Sequence, residues 1–162
     1  MKKLLLLSLV IVGCASWKET TRTTVDYINV VARNTEPTIQ QLLDNKAKQV
    51  IVQCAPVWEK NCKEICFPQT VQLEDTREAC EACIIMHCPD LNNIRKLRVQ
   101  VAEAFQKIFI IIKHINLAMP YLDKEKVIEL RNQLKTEWTA LLVLLKKHEL
   151  IDDAMTYFVP KD

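Results

Sequence analysis

Six of the seven cysteines fall between Cys54 and Cys88, and none follows. That crowding constrains the fold more than any other feature of the chain. On a helix, Cys62 and Cys66 share a face at i,i+4, and Cys80 and Cys83 share one at i,i+3. Between the two pairs lies FPQTVQLEDTREA, in which Pro68 breaks the first helix. Asp75 is expected to cap the second, with Glu78 at the capping-box spacing. Two helices joined by so short a loop lie antiparallel. Of the many pairings that six cysteines admit, helical geometry favours the nested one. It joins Cys66 to Cys80, Cys62 to Cys83 and Cys54 to Cys88. The ladder is uneven. At about 1.5 Å per residue, Cys54 lies about 12 Å from Cys62, but Cys83 only about 7.5 Å from Cys88. A kink at Pro56 is expected to absorb the difference.

The other uses of clustered cysteines fit less well. Zinc binding wants two matched pairs, and here a C-x2-C stands against a C-x3-C. A thioredoxin-like site wants a βαβ context, of which the sequence has no trace. His87, beside Cys88, reads as an ordinary half-buried residue. No cofactor is expected.

The start of the chain bears on the expected compartment. Residues 1–16, MKKLLLLSLVIVGCAS, have a basic start, an apolar run and small residues suited to cleavage. They read as a signal peptide, leaving 17–162 as one domain. A second reading makes Ile11-Val12-Gly13-Cys14 a lipobox, with Cys14 lipidated in a bacterial-type lipoprotein. Six clustered cysteines suit secretion into an oxidising compartment better. Without Lys2 and Lys3, twenty basic residues stand against twenty acidic ones. A neutral chain makes no electrostatic case for nucleic acid. No N-x-S/T acceptor occurs.

The rest reads as helix. Glycine occurs once, at Gly13, which disfavours folds rich in tight turns. Val25, Ile28, Val31 and Ala32 recur at helical spacing, and Asn34-Thr35-Glu36-Pro37 then punctuates the chain. A second stripe holds Ile39, Leu42, Leu43, Val50 and Cys54, and runs past Pro56 through Val57, Trp58, Ile65 and Cys66. Residues 77–88 form a third helix before Pro89. From Asp90 onward, Ile94, Leu97, Val101, Ala104, Ile108, Ile111, Ile115 and Ala118 alternate at steps of three and four. Pro120 breaks that run, and Asp123 caps the next. There Val127, Leu130, Leu134, Trp138, Leu141 and Leu145 form a matching stripe. The expected fold is all-α: an elongated antiparallel helical bundle or coiled coil with a disulfide-tied αα-hairpin. The hairpin covers 54–88, and a long helical hairpin covers 91–155, its two longest helices at 91–118 and 124–148.

Most of this apolar surface is expected to be mutual packing. Phe105, Phe109, Ile110, Ile112 and Val143 widen the stripes or lie off the seam, and are the candidates for binding foreign apolar surface. No phosphate loop, HExxH or G-x-S-x-G occurs, so an enzyme is not expected.

Two segments carry a family resemblance. VWEKNCKEIC, residues 57–66, is similar to the first cysteine segment of clusterin, the secreted chaperone also classed as an apolipoprotein. CEACIIMHCPDLNNIRKLRVQVAEAFQKI, residues 80–108, is similar to its second, with the segments in the same order. The resemblance covers about a third of the chain and implies nested bridges between coiled-coil arms. It also implies holdase-like binding of misfolded client proteins, with lipid association. The chain is shorter than clusterin, has cysteines for fewer bridges and lacks its glycosylation. A helical signalling protein or toxin acting on a cell-surface receptor is the competing reading, since a disulfide-bonded bundle serves that role too. Homo-oligomers fit either.

Overall fold

The computed structural model describes the backbone of residues 2–67, 73–121 and 124–152. Side chains are described from Trp17 onward, at 17–67, 76–121 and 124–152. Within these limits the chain is all-α, with no strand. Five α-helices follow one another: α1 (Lys2–Asn61), α2 (Lys63–Cys66), α3 (Leu73–His87), α4 (Pro89–Ala118) and α5 (Lys124–Lys147). A 3₁₀ turn, Met119–Tyr121, follows α4 at Pro120, where the break is expected.

The sequence reading divides 17–61 into separate helices, and the structure corrects it. α1 runs unbroken through both Pro37 and Pro56. Each proline removes one backbone hydrogen bond from the helix. The buried positions continue in step across the first of them: Val25, Ile28, Ala32, Thr35, Ile39 and Leu43. Thr35 therefore belongs to the buried stripe and is not a cap. At its other end α1 closes at Cys62, where the Cys62 amide still donates to the Trp58 carbonyl at 2.8 Å. α3 begins at Leu73, so Asp75 lies inside the helix. Residues 68–72 with Pro68, residues 122–123 with the expected cap Asp123, and residues 153–162 lie outside the described residues.

The helices sort into two compact units, 1–36 with 101–162, and 37–100. In the first, the 101–118 part of α4 buries Val101, Phe105, Ile108, Ile111, Ile112 and Ile115. α5 buries Val127, Leu134, Trp138, Leu141, Leu142 and Leu145, and α1 adds Val25, Ile28 and Ala32. Those steps of three and four are the a/d pattern of packed helices. α5 ends in a Schellman motif. The Leu150 amide donates to the Leu145 carbonyl at 2.9 Å, and the Glu149 amide to the Lys146 carbonyl at 3.0 Å. Leu145 and Leu150 are both buried, which supplies the apolar contact of that motif. Glu149 sits at φ 56°, a left-handed position that glycine usually fills.

The second unit is built differently. Its buried side chains are Ile39, Leu43 and Leu97, with Cys62, Cys83 and Cys88. So small a core needs staples. Three disulfides provide them, nested as the spacings predict: Cys54–Cys88, Cys62–Cys83 and Cys66–Cys80. Their Cα atoms lie 5.9, 5.8 and 4.7 Å apart, within the usual span of a bridge. Cys88 is the single residue between α3 and α4 outside either helix, so the uneven outer rung falls at a non-helical position. One further tie holds α4 to α1, a 2.7 Å ion pair from Arg98 to Asp44.

Candidate functional site

The candidate site is apolar surface left uncovered in the second unit. Fourteen large apolar side chains are exposed among the described residues, and nine of them lie in 37–100. On α1 these are Leu42, Ile51, Val52 and Val57. Ile65 and Phe67 lie at α2, Ile85 and Met86 on α3, and Val99 on α4. Between Leu43 and Cys62 no side chain of α1 is buried at all. That stretch is helical without a core beneath it. The Cys54–Cys88 bridge ties its middle and Cys62–Cys83 its end. Covalent closure thus does what apolar burial does elsewhere, and leaves the side chains free to meet something else.

The stripe read from the sequence over 39–66 is therefore corrected in part: Ile39 and Leu43 are buried, but its continuation is not. Leu42, Val57 and Ile65 are exposed, and Val50 is half-buried. Phe67 is 71% exposed, yet its ring meets Trp58 edge-on at 6.1 Å between centroids, a favoured aromatic geometry.

A cleft of about 550 Å³ lies between α3 and the start of α4. Glu81, Ile84 and Ile85 form one wall, and Leu91, Asn92, Arg95, Lys96, Val99 and Gln100 the other. Arg95 reaches Glu81 across it at 3.5 Å. Both side chains are exposed, so this pair adds little stability.

The binding candidates named from the sequence divide. Phe105 and Ile112 are buried in the core of the first unit and offer no surface, which corrects that expectation. Phe105 belongs to the heptad seam with Val101 and Ile108, and Ile112 continues it. Phe109 is half-buried, stacked on Phe105 at 6.4 Å and covered by the Arg33 guanidinium at 5.7 Å. Ile110 and Val143 are exposed as expected. Phe109 and Ile110 line a shallow groove of about 400 Å³ with Glu36, Ala102, Gln106 and Lys113. The exposure of Ile51, Val52, Ile85 and Met86 escapes a reading by helical stripes. Its only signal is that the cysteine segment holds more apolar residues than so small a core can bury.

The cysteines of the hairpin are consumed in bridges, so none of the six is a thiolate ligand. Among the described residues no three His, Cys, Asp or Glu side chains gather as a metal site. Burial raises the Tyr27 phenol above its usual range. Three bridges within one chain fit an oxidising compartment. No helix among the described residues is long and apolar enough to cross a membrane.

No family model matches the chain. Neither a curated protein nor a solved structure matches it.

Proposed function

We propose that this chain is a secreted, non-enzymatic helical protein that binds exposed apolar surface on misfolded proteins or lipids, as an extracellular chaperone of the clusterin kind. One observation carries the reading. The 37–100 unit is held by covalent staples and leaves nine large apolar side chains in solvent, four of them on the coreless stretch of α1 and the residues just before it. Scattered single apolar residues are ordinary on any surface, but a concentration on one small unit marks an interaction surface. The bridges support a destination in an oxidising compartment, and residues 1–16 have the composition of an export signal.

The test is light scattering by a heat-stressed client in the presence of the oxidised protein. Suppression at a stoichiometric ratio is expected. Val52→Asp, at a position 72% exposed, should weaken it while leaving the fold intact. No suppression by the native protein sinks the reading.

The closed core of the first unit favours a second reading, a bundle that signals through a receptor. Such a protein should not bind an apolar dye in its native state, whereas the proposed chaperone should.

A further inference from the structure

The geometry points to the α3–α4 cleft as the contact face of a two-fold homodimer, in which each copy lays its α3 wall on the α4 wall of the other. Cys88 is the corner between the helices, and the walls are matched about it. Glu81 and Arg95 each stand seven residues from Cys88, and their 3.5 Å ion pair confirms that they share one level along the cleft. Nearer the corner, Ile84 and Ile85 on α3 lie at the level of Leu91 and Asn92 on α4. The α3 wall is thus acidic and apolar, and the α4 wall basic and apolar.

The charge pattern selects the occupant. A two-fold axis running along the cleft carries the α3 wall of one copy onto the α4 wall of the other at the same level. Glu81 of each copy then meets Arg95 and Lys96 of the other, and Ile84 and Ile85 meet Leu91. An axis across the cleft would set acid on acid. One rotation therefore satisfies both the charges and the apolar rows, as an isologous contact requires. It also turns two exposed ion pairs into a four-chain-segment network shielded from water, where charge pairing specifies register. A foreign apolar segment would have to supply the opposite charge order by itself.

The cleft stays open within one chain for a covalent reason. Cys80 and Cys83 face the α1–α2 side and are bridged there. At about 100° per residue, the wall formed by Glu81, Ile84 and Ile85 lies about a third of a turn round α3 from those cysteines. The bridges fix α3 on one side, and at Glu81 and Ile85 this wall stays exposed among the described residues. Ile85 and Val99 are half exposed, and Met86, next to Ile85 in sequence, is 75% exposed.

This face goes beyond the proposed client binding, which the exposed α1 stretch can serve alone. Sedimentation velocity of the oxidised full chain across a concentration series tests it. The native protein should pass from monomer to dimer, and more weakly at high salt. Glu81→Lys and Lys96→Glu should each raise the dissociation constant at least tenfold, because like charges then oppose each other in both symmetry-related contacts beside the axis. Mixing the two variants in equal amounts should restore the dimer, since the reversed charges then meet. Val99→Asp, at an exposed position that does not burden the monomer fold, should also hold the protein as a monomer. Three results overturn the inference: a native monomer at every concentration, a dimer indifferent to these variants, or singly disrupted variants that do not recombine. A native monomer whose apolar-dye binding is lost in Val99→Asp would assign the cleft to a foreign apolar partner instead. Light scattering with the Glu81→Lys monomer separates the two proposals. Retained client suppression leaves the chaperone reading standing whatever the cleft does.

Discussion

Replacing Cys54 and Cys88 together by serine opens the outermost bridge and leaves no unpaired thiol in the hairpin. The cost follows from the ring that this bridge closes. With Cys62–Cys83 intact, the outer ring runs from Cys54 to Cys62, across that inner bridge, and from Cys83 to Cys88. It holds about 15 residues, and closing a ring of that size is worth about 3 kcal/mol in the chain-entropy model. At about 1.4 kcal/mol per tenfold, that is more than a hundredfold in the local opening equilibrium. The effect should be confined to the helix it ties, because no side chain between Leu43 and Cys62 is buried to hold α1 in its place.

Amide hydrogen exchange followed by peptide mass spectrometry reads this directly. Amides of 45–60 should exchange at least a hundredfold faster in the double variant. Amides of 101–118 should not change, since Val101, Phe105, Ile108 and Ile115 are buried in the other unit. Unchanged protection over 45–60 would mean that something other than the bridge holds this helix. Equal loss over 101–118 would mean that the two units do not open separately.

The other predictions probe the core, the cap and the full set of bridges. Ile108→Asp places a charge at a fully buried position and should destabilise the first unit by about 4 kcal/mol in a denaturant titration. A cost near zero would mean that the seam is misplaced. Glu149→Gly should raise stability by about 1 kcal/mol, because it removes a side chain from a left-handed position while the cap bonds remain. A fall in the melting temperature would refute that account of the turn. Full reduction should raise apolar-dye binding while most far-UV helical signal persists, since only the 37–100 unit depends on bridges. Collapse of the whole signal would count against this division.

The parts legible in the sequence are those where one local rule dictates the outcome. α4 and α5 keep a three-and-four apolar alternation for several turns, and both appear within a residue or two of the expected bounds. The bridges follow from spacings that put cysteines on one helical face, so the pairing needs no knowledge of the rest of the fold. Pro37 misleads because proline is a strong local signal and a buried threonine a weak one. Thr35 carries the stripe from Ala32 to Ile39, so packing on one helical face overrides a local cost of about 3 kcal/mol. Glu149 could not be foreseen, because a left-handed cap is normally announced by glycine and the sequence has none there.

The candidate surface is illegible for a different reason. A helical stripe says that a helix has an apolar face, not that a partner covers it. Phe105 and Ile112 look from the sequence like surplus apolar surface, yet they are buried, because the first unit gathers three helices around them. Val52 and Ile85 look no more surplus than these, yet they are exposed, because bridges rather than burial fix the helices that carry them. Whether an apolar side chain is core or interface thus turns on what pins its helix. Where a covalent tie pins it, exposure costs the fold nothing further, and an apolar row can persist there for binding. On that reasoning the clamp and the binding surface are one design: Cys54–Cys88 gives α1 a fixed direction without enclosing Ile51 and Val52. A variant that lost the bridge and kept full client suppression would break that link. The surface would then need no preformed direction, and the cysteines would serve stability alone.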